Sequence, residues 1–241
     1  MPKNPSNIKL SILMLSIPSR MLNFASLVNK ITSQIGARDD VEILSLFDNK
    51  SLHIYEKRNE LMKIARGSHI AWLDDDDDVS DDYIIKITEA IEANPDADVI
   101  SFNQLCFLDG KEGRIFAKMG NPQEPMIPHP TDTQRYRDTL RMPWHWCVWR
   151  RDLAVTESFK LKYDRGLDGQ SEEDIDWLNR LYPKVKKSIY LEDSWLHRYI
   201  WSPTTTESTV GDSDGILDLY NSHDFSRNAF FQGRLSAMVE N

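Results

Sequence analysis

Five consecutive carboxylates, Asp74 to Asp78, are the residues of this chain best placed to do chemistry. They stand between an apolar run and a helical segment opened by Ser80, so they cannot spread apart as they would in a solvated tail. Crowded carboxylates raise one another's pKa unless a cation neutralises them. Hard divalent ions such as Mn2+ or Mg2+ take oxygen ligands and keep positions open for substrate phosphates. The plainer alternative is a solvated acidic turn, which most acidic runs are. A second group is aromatic: Trp144, His145, Trp146 and Trp149. Sugars and bases stack on aromatic faces, so these residues form a candidate acceptor platform. At strand spacing Trp144 and Trp146 share one face and Trp149 takes the other, which equally suits a core. A lone histidine, His197, lies in an aromatic stretch, where most histidines are structural. Asp212 to Gly215 (DSDG) opens like a calcium loop but lacks the later ligands.

The elements that must hold these residues alternate strand with helix. Leu10 to Ile17 is an almost unbroken apolar run, as expected of a strand buried on both faces. Phe24, Leu27, Val28, Ile31 and Ile35 then follow helical spacing up to Gly36. Val41 to Phe47 reads as a second strand closing on Asp48-Asn49, and a helix from about Glu56 to Arg66 stops at Gly67. Ile70 to Leu73 is a third strand running straight into the aspartates. Ser80 is expected to cap a helix with Ile84, Ile87 and Ile91 on one face, ended by Asn94-Pro95, before a fourth strand at Val99 to Phe102. This alternation predicts a doubly wound, mainly parallel α/β sheet with helices on both faces. Ligands of such sheets bind beyond the carboxyl ends of the strands, where Ser16, Asp48 and the aspartate run all fall.

The second half reads as more elaborate. A hairpin spans Leu105 to Ala117 around Asp109-Gly110, and Pro122, Pro125, Pro128 and Pro130 mark an irregular loop. Trp144 to Trp149 alternates as a strand, a helix runs from Ser171 to Leu181, and strands follow at Ile189 to Leu191 and Trp195 to Trp201. A polar loop at Thr204 to Asp214 and a helix from about Phe225 to Val239 complete the pattern. With no internal repeat and no clean boundary, the expectation is one domain over residues 1–241. Residues 8–103 would form its first half and 104–241 its more elaborate second half.

Composition limits the rest. Of 241 residues 40% are hydrophobic and 28% charged, an ordinary globular balance. The net charge of −9 argues against a polyanion as the default partner. Two distant cysteines, Cys106 and Cys147, fit a reducing compartment better than a disulfide framework. No apolar stretch reaches the roughly 18 residues of a membrane span. The polar start, Met1 to Asn7, shows no signal peptide. A soluble cytoplasmic protein without a transmembrane anchor is expected.

Arg58-Asn59, Ala65-Arg66-Gly67 and Ala71-Trp72-Leu73-Asp74-Asp75-Asp76-Asp77 together resemble the RN…A-x-G…LDADD signature of family-two glycosyltransferases of the GT-A (Rossmann-like) fold. Ser11 to Arg20 is similar to that family's first strand and S-I-I-P-T-Y-N-R turn, with the proline displaced. The likeness covers roughly Leu10 to Tyr199 and is strongest over Arg58 to Tyr83. It implies a nucleotide-sugar site lined by Ser16, Pro18, Arg20, Asp48, Arg58, Asp74 and Asp75, with Asp48 recognising the base. It implies Asp74-x-Asp76 as the D-x-D motif, although the five-residue run also admits the motif one residue along. Asp76, Asp74 and His197 become the candidate ligands of a Mn2+ or Mg2+ ion. Glu173-Asp174, five residues before Arg180, is similar to the family's E-D-x-x-x-x-x-R motif, which makes Asp174 the general base with Glu173 beside it. Both acidic residues also read as a capping box after Ser171.

The expected activity is therefore metal-dependent transfer of a sugar, from a UDP-sugar by preference, to an acceptor hydroxyl with inversion. The acceptor class stays open between a saccharide, a lipid head group, a protein and a modified DNA base. A metal-dependent nucleotidyl or phosphoryl transferase is the alternative enzyme, though no Gly-rich phosphate loop is present. A non-catalytic divalent-ion or carbohydrate-binding protein is the alternative outside enzymes.

Overall fold

A computed structural model describes residues 8–160 and 173–201. The expected polar loop, C-terminal helix and DSDG segment, and Ser171, lie outside the described residues. Three parallel strands open the chain: β1 (Leu10–Ser16), β2 (Val41–Phe47) and β3 (His69–Asp74), with β1 in the middle. Every residue of β1 is buried, as its unbroken apolar run requires. Helix α1 (Met21–Ile35) joins β1 to β2 and buries Leu27 and Ile31, while α2 (Ile54–Ile64) joins β2 to β3 and buries Leu61 and Met62. The start of α2 is fixed by Glu56, whose carboxylate accepts the His53 amide at 2.9 Å.

After β3 the aspartates form a tight turn, with the Asp77 amide donating to the Asp74 carbonyl at 3.2 Å. A two-residue strand, β4 (Asp78–Val79), follows. Helix α3 (Tyr83–Ala93) buries Ile84, Ile87 and Ile91 as its spacing predicts. Ser80 is not its cap. Asp82 occupies that position, the Ser80 hydroxyl donates to Asp82 at 2.6 Å, and the Gln34 side chain of α1 accepts the Ile84 amide at 3.0 Å. A cap supplied from another helix leaves no local trace in sequence.

The expected fourth strand and the first arm of the hairpin are one strand, β5 (Val99–Leu108). It turns through Asp109 and Gly110, both at positive φ, into β6 (Lys111–Ala117). Strand β7 (Thr139–Arg141) lies beyond β6. The expected strand over Trp144 to Trp149 is reduced to β8 (Val148–Arg150). Trp144 to Cys147 instead form a turn, closed by the Cys147 amide donating to the Trp144 carbonyl at 3.0 Å. Pro143 before it carries no amide hydrogen for a ladder. The short helix α4 (Arg151–Ala154) follows β8, and α5 (Glu173–Leu181) is described from Glu173 onward. The two expected late strands are a single strand, β9 (Ser188–Ile200), irregular in register against β5 beside Asn103.

The strands form a sheet ordered β2-β1-β3-β8-β5-β6-β7, with β9 paired to β5 and β4 to β9. Strand β8 runs antiparallel between β3 and β5, so those two remain parallel in direction but do not touch through a ladder. Helices flank this mixed sheet, and the core includes Trp72, Phe102, Trp149, Phe159 and Trp177. Among the described residues no helix is long and apolar enough to cross a membrane.

Candidate active site

The aspartate run divides by neighbour. Asp75 turns inward, accepting the Ser16 hydroxyl and Arg20, each at 2.7 Å. Ser16 ends β1, and Pro18 starts the 3-10 turn Pro18–Arg20 that brings Arg20 back over the strand end. Arg20 also lies 3.3 Å from Asp76. Burial raises the pKa of Asp75 against the pull of Ser16 and Arg20. Burial, with Asp77 beside it, pushes Asp76 up to about 8. Asp78 leaves the cluster: as part of β4 it pairs with Lys30 at 2.9 Å and Arg198 at 3.2 Å. That removes the last member of the run from the site.

Asp74 is the hub of an ion network. Its Oδ1 accepts Arg58 Nη2 at 3.3 Å, and its Oδ2 lies 3.2 Å from His145 Nε2. Arg58, from the buried side of α2, also donates through Nε to Glu173 Oε1 at 3.2 Å. Its guanidinium rests on the rings of Trp72 and Phe159, 5.0 and 5.5 Å from their centroids. Phe159 in turn stacks on Trp177 at 4.6 Å, so an aromatic floor supports the charge. His145 Nδ1 lies 3.1 Å from Asp174 Oδ2, in an ion-pair contact, and Trp144 Nε1 donates to that same oxygen at 3.2 Å. Asp174 Oδ1 accepts the Ile175 amide at 2.7 Å in the first turn of α5.

These contacts set the charge states. Burial alone would lower the His145 pKa, but Asp174 and Asp74 raise it to about 9, so the imidazole is held as a cation. Burial alone would raise Asp74 and Asp174, yet Arg58 and His145 hold Asp74 well below the usual carboxylate range, and His145 keeps Asp174 low. The result is a closed circuit: Asp74 reaches Glu173 through Arg58 and Asp174 through His145.

His197 comes to the aspartates through the β4–β9 ladder, which sets it opposite Val79. Its Nε2 lies 3.3 Å from Asp77 Oδ2, not from Asp76, and Gln104 meets its Nδ1 at 2.8 Å. The ring stacks on Trp146 at 5.1 Å. Among the described residues no group of three or more His, Cys, Asp or Glu is arranged to hold a metal ion. The donor set nevertheless fits a hard cation shared with a diphosphate, because such ions are commonly held by one or two carboxylates plus phosphate oxygens. Asp76, its charge disfavoured where it stands, is the carboxylate such an ion would neutralise.

The remaining expected residues separate. Asp48 closes β2 and caps its own turn, accepting the amides of Ser51 at 2.7 Å and Leu52 at 2.9 Å, with Lys57 on its other oxygen at 2.8 Å. Trp146 is buried against Phe102 and His197, which makes it core. Trp144 stays partly exposed beside Arg141. The two tryptophans therefore do not share a strand face. Arg180 ties α5 to Glu157 and the Ser158 carbonyl and pairs with Asp176 one turn back in the same helix. Sequence reasoning placed His145 on an aromatic platform and missed its two carboxylate partners; only its position in an irregular segment after Pro143 hinted at another use.

Comparison with known proteins bears on the fold and on the family. The crystal structure of S. aureus TarS 1-349 in complex with UDP-GlcNAc matches at a TM-score of 0.55 and 14% identity, over 84% of this chain and 61% of that one. TarS 1-349 in complex with UDP matches at 0.56 and 14%, over 92% and 73%. At such identity the likeness is one of fold. A protein of Sinorhizobium fredii (strain NBRC 101917 / NGR234), the uncharacterized protein y4gI, is 31% identical over 74 residues, 31% of this chain and 8% of that protein. This chain thus spans a small part of that relative and about three fifths of the first TarS structure. The model of glycosyl transferase family 2 matches residues 28–158, more than half of the 241, so the chain belongs to glycosyl transferase family 2.

Proposed function

We propose that this chain transfers a sugar from a nucleotide-sugar donor to an acceptor hydroxyl in a single inverting displacement. The observation that carries the reading is the meeting of the two carboxylate motifs, with His145 in contact with both Asp74 and Asp174. A donor bound at the aspartate turn would lie beside the carboxylate that deprotonates the acceptor. UDP is the favoured nucleotide because the TarS structures hold UDP-GlcNAc and UDP. Ser16, Pro18, Arg20 and Asp75 would shape the floor of the donor site at the end of β1. Asp48 would flank the base, and Arg58 would hold Asp74 in place from below. Asp76, aided by Asp74 and with His197 behind Asp77, would hold a Mn2+ or Mg2+ ion. When bound, that ion would offset the charge of the departing nucleoside diphosphate. Asp174 would accept the proton of the attacking hydroxyl. We take the described residues as one GT-A-like domain, since strands from both halves share one sheet.

Asp174→Asn is the direct test. With a panel of UDP-sugars and Mn2+, transfer or donor hydrolysis should fall by ~10²–10⁴-fold while UDP affinity holds and the protein stays folded, its melting temperature lowered only by loss of the ion pair with His145. A folded, fully active Asp174→Asn overturns the base assignment, and a non-catalytic binder would show that tolerance. A two-metal phosphoryl-transfer reading finds less support, because Asp75 is committed to Ser16 and Arg20 and Asp78 to Lys30 and Arg198.

A further inference from the structure

We propose that Trp144 and His145 are positioning residues, which fix the Asp174 carboxylate and tie it to the donor-binding turn through Asp74. The inference rests on the reading of Asp174 as the base. Both residues act on one oxygen: Trp144 Nε1 donates to Asp174 Oδ2 at 3.2 Å, and His145 Nδ1 lies 3.1 Å from that same atom. The other oxygen accepts the Ile175 amide at 2.7 Å. The carboxylate is thus gripped from the helix on one side and from the turn on the other. His145 then spans to Asp74 Oδ2 at 3.2 Å, which places one ring between the two motifs.

The turn that presents the pair is itself held from three sides. Its Trp144 carbonyl accepts the Cys147 amide at 3.0 Å and the Trp149 indole at 3.1 Å, and the Pro143 carbonyl accepts the Tyr182 hydroxyl at 2.7 Å. Trp149 is wholly buried and packs edge-on against Trp177 of α5, the helix that carries Asp174. Donors whose own conformation is locked by packing can hold a reacting group to within the tolerance that catalysis requires. A pair present only for stability would not need two nitrogens on one oxygen of the part-buried Asp174 carboxylate, since a buried ion pair is weak evidence for stability. The arrangement also couples the two half-sites, because any displacement of Asp74 would reach Asp174 through a single imidazole.

The test is a set of rates on the full chain, with the UDP-sugar that the wild type turns over fastest and Mn2+ as probe. Trp144→Phe keeps the ring and loses the N–H, so kcat should drop roughly 3–10-fold, the worth of one ordinary hydrogen bond, with donor KM unchanged. His145→Gln should lower kcat by up to ~10²-fold and also raise donor KM, because it touches both carboxylates. Neither change should lower kcat further in an Asp174→Asn background, since groups acting on rate through one residue are not additive. Losses that multiply in that background would overturn the inference in favour of a general structural role. Wild-type turnover in both Trp144→Phe and His145→Gln, with Asp174→Asn slow, would overturn the positioning and leave the base standing. Should His145→Gln fail to fold, Trp144→Phe and its double variant decide the matter alone. An Asp174→Asn variant as fast as wild type would remove the base and this inference together.

Discussion

Asp48 shows how one side chain can carry a fold and leave room for recognition. Burial would raise its pKa, but Lys57, the Leu52 amide and the Ser51 hydroxyl bring it down to about 2. A carboxyl with a lower pKa folded than unfolded contributes stability that is complete above its unfolded value of about 3.9 and fades as pH falls toward its folded one. The melting temperature of Asp48→Asn should therefore trail wild type at neutral pH, and the gap should close between about pH 4 and pH 2. A gap that stays constant across that interval would mean the ion pair with Lys57 is not what holds the turn. One lone pair remains beside Lys57 for a base N–H. If Asp48 also reads the nucleotide, UDP should bind at least ~10-fold tighter than N3-methyl-UDP, because the analogue leaves the carboxylate unpaired. Calorimetry giving equal affinities would restrict Asp48 to the turn.

At the level of elements, the Arg58-Asn59 and Ala65-Arg66-Gly67 segments show why a family signature has the residues it has. Asn59 clamps the backbone of Phe159 in both directions, donating to its carbonyl at 2.9 Å and accepting its amide at 2.8 Å, while Arg58 gathers the acidic motifs. Gly67 is pressed against β1: a Cβ there would sit 2.6 Å from the Ser11 amide nitrogen and 2.7 Å from the His69 carbonyl. Both are backbone atoms and cannot swing away. Gly67→Ala should thus destabilise by about 1–3 kcal/mol in urea titration, and it should weaken donor binding by displacing the start of β3. Unchanged stability would show that β1 and β3 can part without cost. The parallel strands were legible because continuous apolar runs and glycine stops are local signals. The strand expected over Trp144 to Trp149 was legible only in part, as β8, and its place between β3 and β5 was not, since that answers to a distant ladder. The same holds for Gln34 capping α3 and for Gln104 orienting His197, each set by an element far along the chain. Within the site, the aspartate turn and Glu173-Asp174 were visible as motifs. The role of His145 was not, because its meaning comes from two partners 71 and 29 positions away, Asp74 and Asp174.

The charge balance of the whole molecule bears on how a donor can bind at all. The protein is acidic, at −9, and its site concentrates that excess. Six carboxyl groups gather there, Asp74 to Asp77 with Glu173 and Asp174, against three cations, Arg20, Arg58 and His145. Each of those cations already faces a carboxylate. A nucleotide diphosphate brings more negative charge into this setting, and each like-charged pair at about 4 Å costs roughly 1–4 kcal/mol at the effective dielectrics of water and of protein surfaces. Binding should therefore need a divalent ion at Asp76. Chelation with EDTA should weaken UDP affinity by at least ~10-fold, about 1.4 kcal/mol, and Mn2+ or Mg2+ should restore it. Asp76→Ala should fold normally, since it relieves repulsion, and should lose the metal dependence. Screening makes a competing explanation that the same titration separates. If the ion acts only by general screening, NaCl at matched ionic strength will restore affinity as well as Mn2+ does, because screening does not distinguish valence once ionic strength is fixed. A coordinated ion predicts that NaCl fails in wild type, and that Asp76→Ala binds UDP equally with EDTA, NaCl or Mn2+. UDP affinity in wild type that ignores chelation would remove the metal from this site and leave the acidic turn to be explained by Arg20 and Ser16 alone.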